Sequence, residues 1–213
     1  MRLLLVRHGE SEWNRIHRYQ GQIDTRLTEL GLEQAELLGT RLSREAIDCI
    51  YTSPLQRCAL TAQAIARHHP QAPLIEDRAI IEIDHGEWQG LTADEVGTRY
   101  SDGLAEWRRF PTRSQMPGGE SFSNVLKRCL DFRDHLLAER PEQHIVISTH
   151  DVVVKILVAD ALGLPMDRLN RLWIGNASIS AIDYGKDLPF LAAISESCHL
   201  GGKAGMPAGQ KAL

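Results

Sequence analysis

Short apolar runs alternate along this chain with longer stretches in which apolar residues recur every three or four positions. Leu3 to Val6, Cys49 to Thr52, Ile145 to Thr149 and Ile179 to Asp183 are apolar or alternating runs bounded by polar or turn residues, which predicts strands. Pro73 to Glu76 and Phe190 to Ser195 carry weaker versions of the same signal. Gly31, Ala35, Leu38 and Leu42 share one helical face behind Thr28, a candidate N-cap, and Val125, Cys129, Phe132 and Leu136 repeat the pattern behind Gly118-Gly119. Ser53-Pro54-Leu55-Gln56 combines capping-box spacing with proline at the first helical position, so a helix is expected directly after the second strand, with Arg57 in its first turns. A helix from Asp151 should stop near Gly163 and Pro165. Strands alternating with helices predict an α/β fold: a three-layer α/β/α sandwich with a mostly parallel central sheet.

No linker-like stretch interrupts this alternation, so all 213 residues read as one domain. Within it, about 77–117 is less regular, carries Trp88, Trp107 and many charges, and suits a lid inserted over the C-terminal ends of the strands. The Gly- and Ala-rich tail, about 201–213, is expected to be poorly ordered unless docked. A formal net charge of −4 and the lack of a dense Lys/Arg run argue against nucleic acid as a partner. The four cysteines form no Cys-x-x-Cys pair, which argues against a zinc ribbon or redox motif, and Cys49, Cys58 and Cys129 read as buried thiols. Arg7 ends the first apolar run too early for a secretory core, and no later run approaches membrane-spanning length. A soluble, cytoplasmic protein is the expectation.

Chemistry is concentrated at strand ends, where open α/β sheets place their ligands. Arg7 and His8 end the first strand within Val6-Arg7-His8-Gly9-Glu10-Ser11-Glu12-Trp13-Asn14. Arginine offers a fixed fork of donors suited to phosphate, and a neutral, oriented histidine can be a nucleophile. His150 closes Ile147-Ser148-Thr149-His150, so two histidines would converge on one rim of a parallel sheet. Arg57 follows Tyr51-Thr52-Ser53-Pro54 and is the second candidate to neutralise phosphoryl oxygens. No Asp-x-Asp-x-Thr start, P-loop or Cys-x5-Arg loop is present. His17, His68, His69, His135 and His144 lack a carboxylate at ligand spacing and read as surface residues, so no metal or other cofactor is expected.

In these motifs the chain resembles the histidine phosphatase superfamily, also called phosphoglycerate mutase-like, over Met1 to about Asp183. The resemblance implies attack by His8 on a phosphomonoester, with Arg7, Arg57, Asn14 and His150 around the transferring group. Glu82, in Ile81-Glu82-Ile83-Asp84-His85-Gly86-Glu87-Trp88-Gln89-Gly90, matches the family's Glu-x-x-x-Gly-x-Trp-x-Gly element and would protonate the leaving oxygen, with Asp84 its nearest rival. Gln20 and Gly21 fall where members contact the ligand, and Asn176 occupies the late loop, where a turn role is as good a reading. Thr149 and Asp151 flank the second histidine as substrate-binding candidates. Asp151 stands where glycine is common.

These motifs do not select a substrate. Two features resemble metal-independent phosphoserine phosphatases: His85, three positions after the expected acid, and the C-terminal Cys198-His199-Leu200-Gly201. They imply L-phosphoserine as substrate, with His85, Cys198 and His199 around its amino and carboxylate groups. The resemblance also implies a homodimer. The alternatives are a phosphoglycerate mutase, with Arg108, Arg109 and Arg113 in place of a basic insertion, an α-ribazole phosphatase, a broad sugar-phosphate phosphatase, or a non-catalytic binder of phospho-ligands.

Overall fold

The computed structural model describes residues 1–204. Its strands are β1 (Arg2–Arg7), β2 (Cys49–Thr52), β3 (Leu74–Glu76), β4 (His144–Thr149), β5 (Ile179–Asp183) and β6 (Phe190–Glu196). They form one sheet in the order β3-β2-β4-β1-β5-β6, with every ladder among the first four parallel and β5 antiparallel to both of its neighbours. The expected mixed α/β architecture with a mostly parallel sheet is therefore present. β1 and β4 are almost wholly buried, as their near-continuous apolar runs require for strands covered on both faces. Apolar clusters lie on either side: Leu3, Leu5, Ile145 and Ile147 face one, and Leu4, Val6, Ile50 and Val146 face the other.

The helices are α1 (Glu12–Arg15), α2 (Glu29–Leu42), α3 (Gln56–Ala66), α4 (Ala93–Arg99), α5 (Ser101–Arg109), α6 (Phe122–Glu139) and α7 (Asp151–Ala161). Thr28 caps α2 as expected, its hydroxyl accepting from Gly31 N–H at 3.0 Å. α6 is capped by Ser121, not by the glycines before it. At α3 the expected helix follows β2 with Arg57 in its first turn, but the expected cap does not form. The helix starts at Gln56 with Leu55 as N-cap and no side-chain cap, so Pro54 lies outside it. Ser53 instead places its hydroxyl 2.8 Å from His150 Nε2, a buried partner that competes successfully with the helix end.

Segment 77–117 is more regular than expected. It contains α4, α5 and three short 3-10 turns, and Thr92 and Glu95 close a capping box at the start of α4. Trp88, Val96, Leu104 and Trp107 join the same apolar cluster as β1 and β4, so the segment is packed into the core. Of the tail expected at about 201–213, residues 205–213 lie outside the described residues. Cys198–Lys203 form a 3-10 turn, and Lys203 is bound to α2 through Gln34 and Glu33. No helix among the described residues is long and apolar enough to cross a membrane.

The turn after β1 is held by close backbone approach. A Cβ on Gly31 would lie 2.0 Å from the carbonyl oxygen of Glu10, and one on Gly9 would lie 2.4 Å from that of Gly31. Helix propensity alone would make Gly31→Ala stabilising by about 1 kcal/mol. The backbone contact reverses the sign, since overpacking costs about 1–3 kcal/mol. Gly31→Ala should therefore melt several degrees lower than the parent in calorimetry, and a higher melting temperature would show that the approach is not tight.

Candidate active site

β2, β4 and β1 are neighbours in the sheet, and their C-terminal ends deliver Arg57, His150, Arg7 and His8 to one rim. The main chain of His8 is pinned by its N–H to Thr149 O at 3.0 Å and by its carbonyl, which accepts from Ala177 N–H and Asn176 Nδ2. Its side chain lies with Nδ1 2.7 Å from Gly9 O. A carbonyl only accepts, so Nδ1 carries the proton and Nε2 holds the lone pair. Burial, with the charges of Arg57 and Arg7 adding to it, holds the imidazole well below its ordinary pKa of 6.5. His8 is therefore a neutral, oriented nitrogen nucleophile.

Arg57 is fully buried and has no carboxylate partner among the described residues. Its Nη1 and Nη2 donate to Ile23 O and Gly21 O, each at 2.8 Å. Carbonyls orient the guanidinium without cancelling its charge. Gly21 adopts φ 52°, a backbone conformation that favours glycine, and a Cβ there would have to displace the Gln89 side chain. Arg7 donates to Ile174 O at 2.6 Å and lies 3.6 Å from Asp151. The Nε of both arginines is buried without a partner among the described residues. His150 packs edge-on to His8 at a centroid distance of 5.3 Å, with Nε2 on Ser53 Oγ. It is wholly buried behind His8 and does not line the cavity, and it too is held neutral by burial and nearby charge.

In front of His8 opens a cavity of about 150 Å³ lined by Arg7, His8, Asn14, Arg57, Glu82 and His85, among others. Glu82 Oε1 accepts from Ile83 N–H at 3.0 Å. Burial, together with the nearby Asp151, raises its carboxyl to about 7, outweighing that hydrogen bond and the two arginines. A carboxyl poised there can give and take a proton near neutral pH. Asp84 is not in the lining, and its carboxylate accepts from Gly86 N–H, so the structure favours Glu82 over its rival.

Asn14 and Gln20 also line the cavity. Asn14 Oδ1 accepts from Ser11 N–H at 3.0 Å and Asn176 Nδ2 at 3.1 Å, which leaves its amide nitrogen to donate. Gln20 Oε1 accepts from Ser11 and Thr25 hydroxyls, with the same consequence. Three expectations are corrected. Thr149 is buried and spends its hydroxyl on Ile80 O at 2.6 Å, tying β4 to the segment that carries Glu82. Cys198 and His199 are not brought to the cavity. Their turn packs toward α2, Cys198 is exposed, and His199 Nε2 lies 3.1 Å from Ala177 O. Tyr19, Lys155, Asn170 and Trp173 line the cavity and were not anticipated; only Lys155, four positions after Asp151 on one helix face, left a usable signal. Arg109 and Arg113 instead stack on Phe110. Among the described residues no three His, Cys, Asp or Glu side chains cluster as a metal site.

His8, His85 and His150 are all buried with lowered pKa, His85 at about 4. In the unfolded chain each would titrate near the ordinary 6.5, so below that pH the unfolded state binds more protons. Their contribution to stability is complete above about pH 6.5 and is lost as the pH falls toward the folded values. The urea midpoint should drop between pH 7 and pH 5, and substituting His85 by Gln should flatten that slope. An unchanged slope would place His85 in contact with water.

Residues 3–197 match the family model described as histidine phosphatase superfamily (branch 1). Phosphoserine phosphatase 1 of Hydrogenobacter thermophilus is 38% identical over 201 residues, covering 94% of this chain and 95% of that protein. A mycobacterial glucosyl-3-phosphoglycerate phosphatase, solved in complex with VO3, has a TM-score of 0.85 at 29% identity, covering 92% of this chain and 99% of that one. The alpha-ribazole phosphatase of Shigella flexneri has a TM-score of 0.83 at 27% identity, covering 92% and 96%. These three relatives differ in the substrates their names carry.

Proposed function

The chain belongs to the histidine phosphatase superfamily, and from that premise we propose that it hydrolyses small phosphomonoesters through a phosphohistidine on His8, with L-phosphoserine as its substrate. The observation that carries the chemistry is one cavity holding a proton-free Nε2 on His8, two buried arginines and a carboxyl near pH 7. In the first step Nε2 attacks phosphorus in line, the phosphorus–ester oxygen bond breaks, and Glu82 protonates the departing serine oxygen. Arg7 and Arg57, with the amide of Asn14, hold the phosphoryl oxygens. In the second step Glu82, now a carboxylate, takes a proton from water as it attacks phosphorus, and the P–N bond breaks. Phosphate leaves and both residues return to their starting states. A pure binder would have no use for a carboxyl held near pH 7 against phosphate.

Phosphoserine as the substrate is supported by the relative that shares 38% identity across nearly the whole chain. The small cavity and its excess of cationic over anionic side chains also suit a compact, multiply charged ester. The test is steady-state phosphate release in EDTA from L-phosphoserine, 3-phosphoglycerate, α-ribazole phosphate and a set of sugar phosphates. We expect at least a tenfold preference in kcat/KM for L-phosphoserine. Weak, even hydrolysis of the whole set would retain the histidine chemistry and remove phosphoserine. Isomerisation of 3-phosphoglycerate would make the protein a mutase.

A further inference from the structure

The steps above use Asp151 only through its charge on Glu82 and leave its ion-pair partner in the cavity wall without a task. Asp151 and Lys155 stand one turn apart on α7, with Nζ 2.6 Å from Oδ2, and both line the cavity. The lysine side chain is only 6% exposed, on a helix otherwise rich in Val, Ile and Leu. A buried pair of this kind adds little stability over an apolar replacement, because desolvation offsets the attraction. Asp151 is the one acid within 4.0 Å of the Lys155 ammonium among the described residues, and its other oxygen lies 3.6 Å from Arg7. Two more polar atoms belong to residues of the same lining. Tyr19 Oη and His85 Nδ1 are both buried and without a partner among the described residues. Arg18, paired with Glu95, and the exposed Arg171 also border the cavity, but Asp151 and Lys155 are the ion pair within its lining, which they share with Tyr19 and His85.

Resting on the phosphatase reading, we propose that Asp151 and Lys155 form a receptor for the zwitterionic end of an amino-acid phosphomonoester. Lys155 takes the α-carboxylate, and Asp151, with the Tyr19 hydroxyl and the His85 ring, takes the α-ammonium. Before binding, the two charges satisfy each other. A ligand with the opposite pair of charges can satisfy both at once. A phosphorylated hydroxy acid pairs its carboxylate with Lys155 but brings no ammonium to take the lysine's place beside Asp151. A phosphorylated amino alcohol satisfies Asp151 and leaves the buried lysine without a new partner. The receptor therefore selects by excluding ligands that carry half of the zwitterion.

The experiment compares kcat/KM of the full chain on L-phosphoserine, phosphoethanolamine, 3-phosphoglycerate and phenyl phosphate. The parent should prefer L-phosphoserine to phosphoethanolamine and to 3-phosphoglycerate by at least tenfold each. Lys155→Gln should lower the ratio of L-phosphoserine to phenyl phosphate at least tenfold, chiefly through KM, while the ratio of phosphoethanolamine to phenyl phosphate does not fall. Asp151→Asn should raise 3-phosphoglycerate relative to L-phosphoserine. Equal losses on every substrate in Lys155→Gln would overturn the receptor, as would a parent that hydrolyses phosphoethanolamine as well as L-phosphoserine. If the variants fail to fold, the parent's ranking decides alone. Turnover of phenyl phosphate with no preference for the zwitterion would remove the receptor and keep the phosphatase, whereas no turnover on any substrate would remove both.

Discussion

His8→Ala is expected to lower kcat on phosphomonoesters by about 10⁴- to 10⁶-fold, the range seen when a covalent nucleophile is removed. The reason is local. Gly9 O holds the proton on Nδ1, so Nε2 is the free lone pair of a residue that lines the cavity. Among the described residues His150 is the one imidazole in ring contact with His8, and its placement keeps it from taking over. Its Nε2 lies 2.8 Å from Ser53 and 3.3 Å from Cys58, and the ring is wholly buried. Rapid quenching with labelled substrate should trap an acid-labile, alkali-stable phosphoprotein in the parent and none in the variant. Retention of more than about 1% of parental kcat would move the nucleophile elsewhere and end the covalent reading.

Glu82→Gln should separate the two halves of the reaction. A serine oxygen leaves poorly without a proton, so kcat on phosphoserine should fall by about 10²- to 10⁴-fold, the usual size of a general acid contribution. An activated aryl phosphate departs without that help. Its first step should survive while water attack slows, giving a burst of about one equivalent of phenol and an accumulated phosphohistidine. Absence of a burst would mean that Glu82 does not serve the second step.

The same substitution carries a stability signature. The folded carboxyl titrates at about 7 and the unfolded one at 4.5, so the folded state holds the proton more tightly. Stability from this group is fully present below 4.5 and is lost as the pH rises through 7. Glutamine has no proton to lose. Relative to the parent, the variant should gain up to about 3 kcal/mol more at pH 8 than at pH 4.5, from roughly 1.4 kcal/mol per pKa unit. A pH-independent difference in urea unfolding would show that burial does not raise Glu82. An enzyme that stabilises as it loses activity is the expected pattern for a buried catalytic acid.

The strand-end residues were readable in the sequence because strand, turn and chemistry lie within a few positions of each other. Arg7 and His8 follow a buried apolar run directly, and Glu82 sits in a compact motif. Ser53 was misread because a capping signal is local, whereas the group that claims its hydroxyl, His150, lies almost a hundred residues away in sequence. Thr149 failed similarly, its side chain committed to Ile80 across the fold. Cys198 and His199 were placed by resemblance, and the packing of their turn toward α2 is a tertiary outcome that no pattern within 198–204 encodes. Tyr19 gave no signal because an aromatic in a loop reads equally well as core. Segment 77–117 looked irregular because its helices are short, although the Thr92 capping box and Trp107 beside Leu104 were there to be read.

Arg7 and His8 end β1, His150 follows β4, and Arg57 opens α3 just after β2, so three adjacent strands fix most of the phosphoryl-handling end, while the side chains assigned to the rest of the ligand come from elsewhere. Lys155 and Asp151 sit on α7, His85 on the 77–117 segment, and Tyr19 on the loop after α1. Changes at those positions can be sampled while the phosphoryl-handling end stays in register with the sheet. A lineage built this way can exchange one alcohol for another in a few point changes. It also marks which side chains to change when redirecting the protein to a new ester: Tyr19, His85, Asp151 and Lys155, leaving Arg7, His8, Asn14, Arg57 and Glu82 untouched.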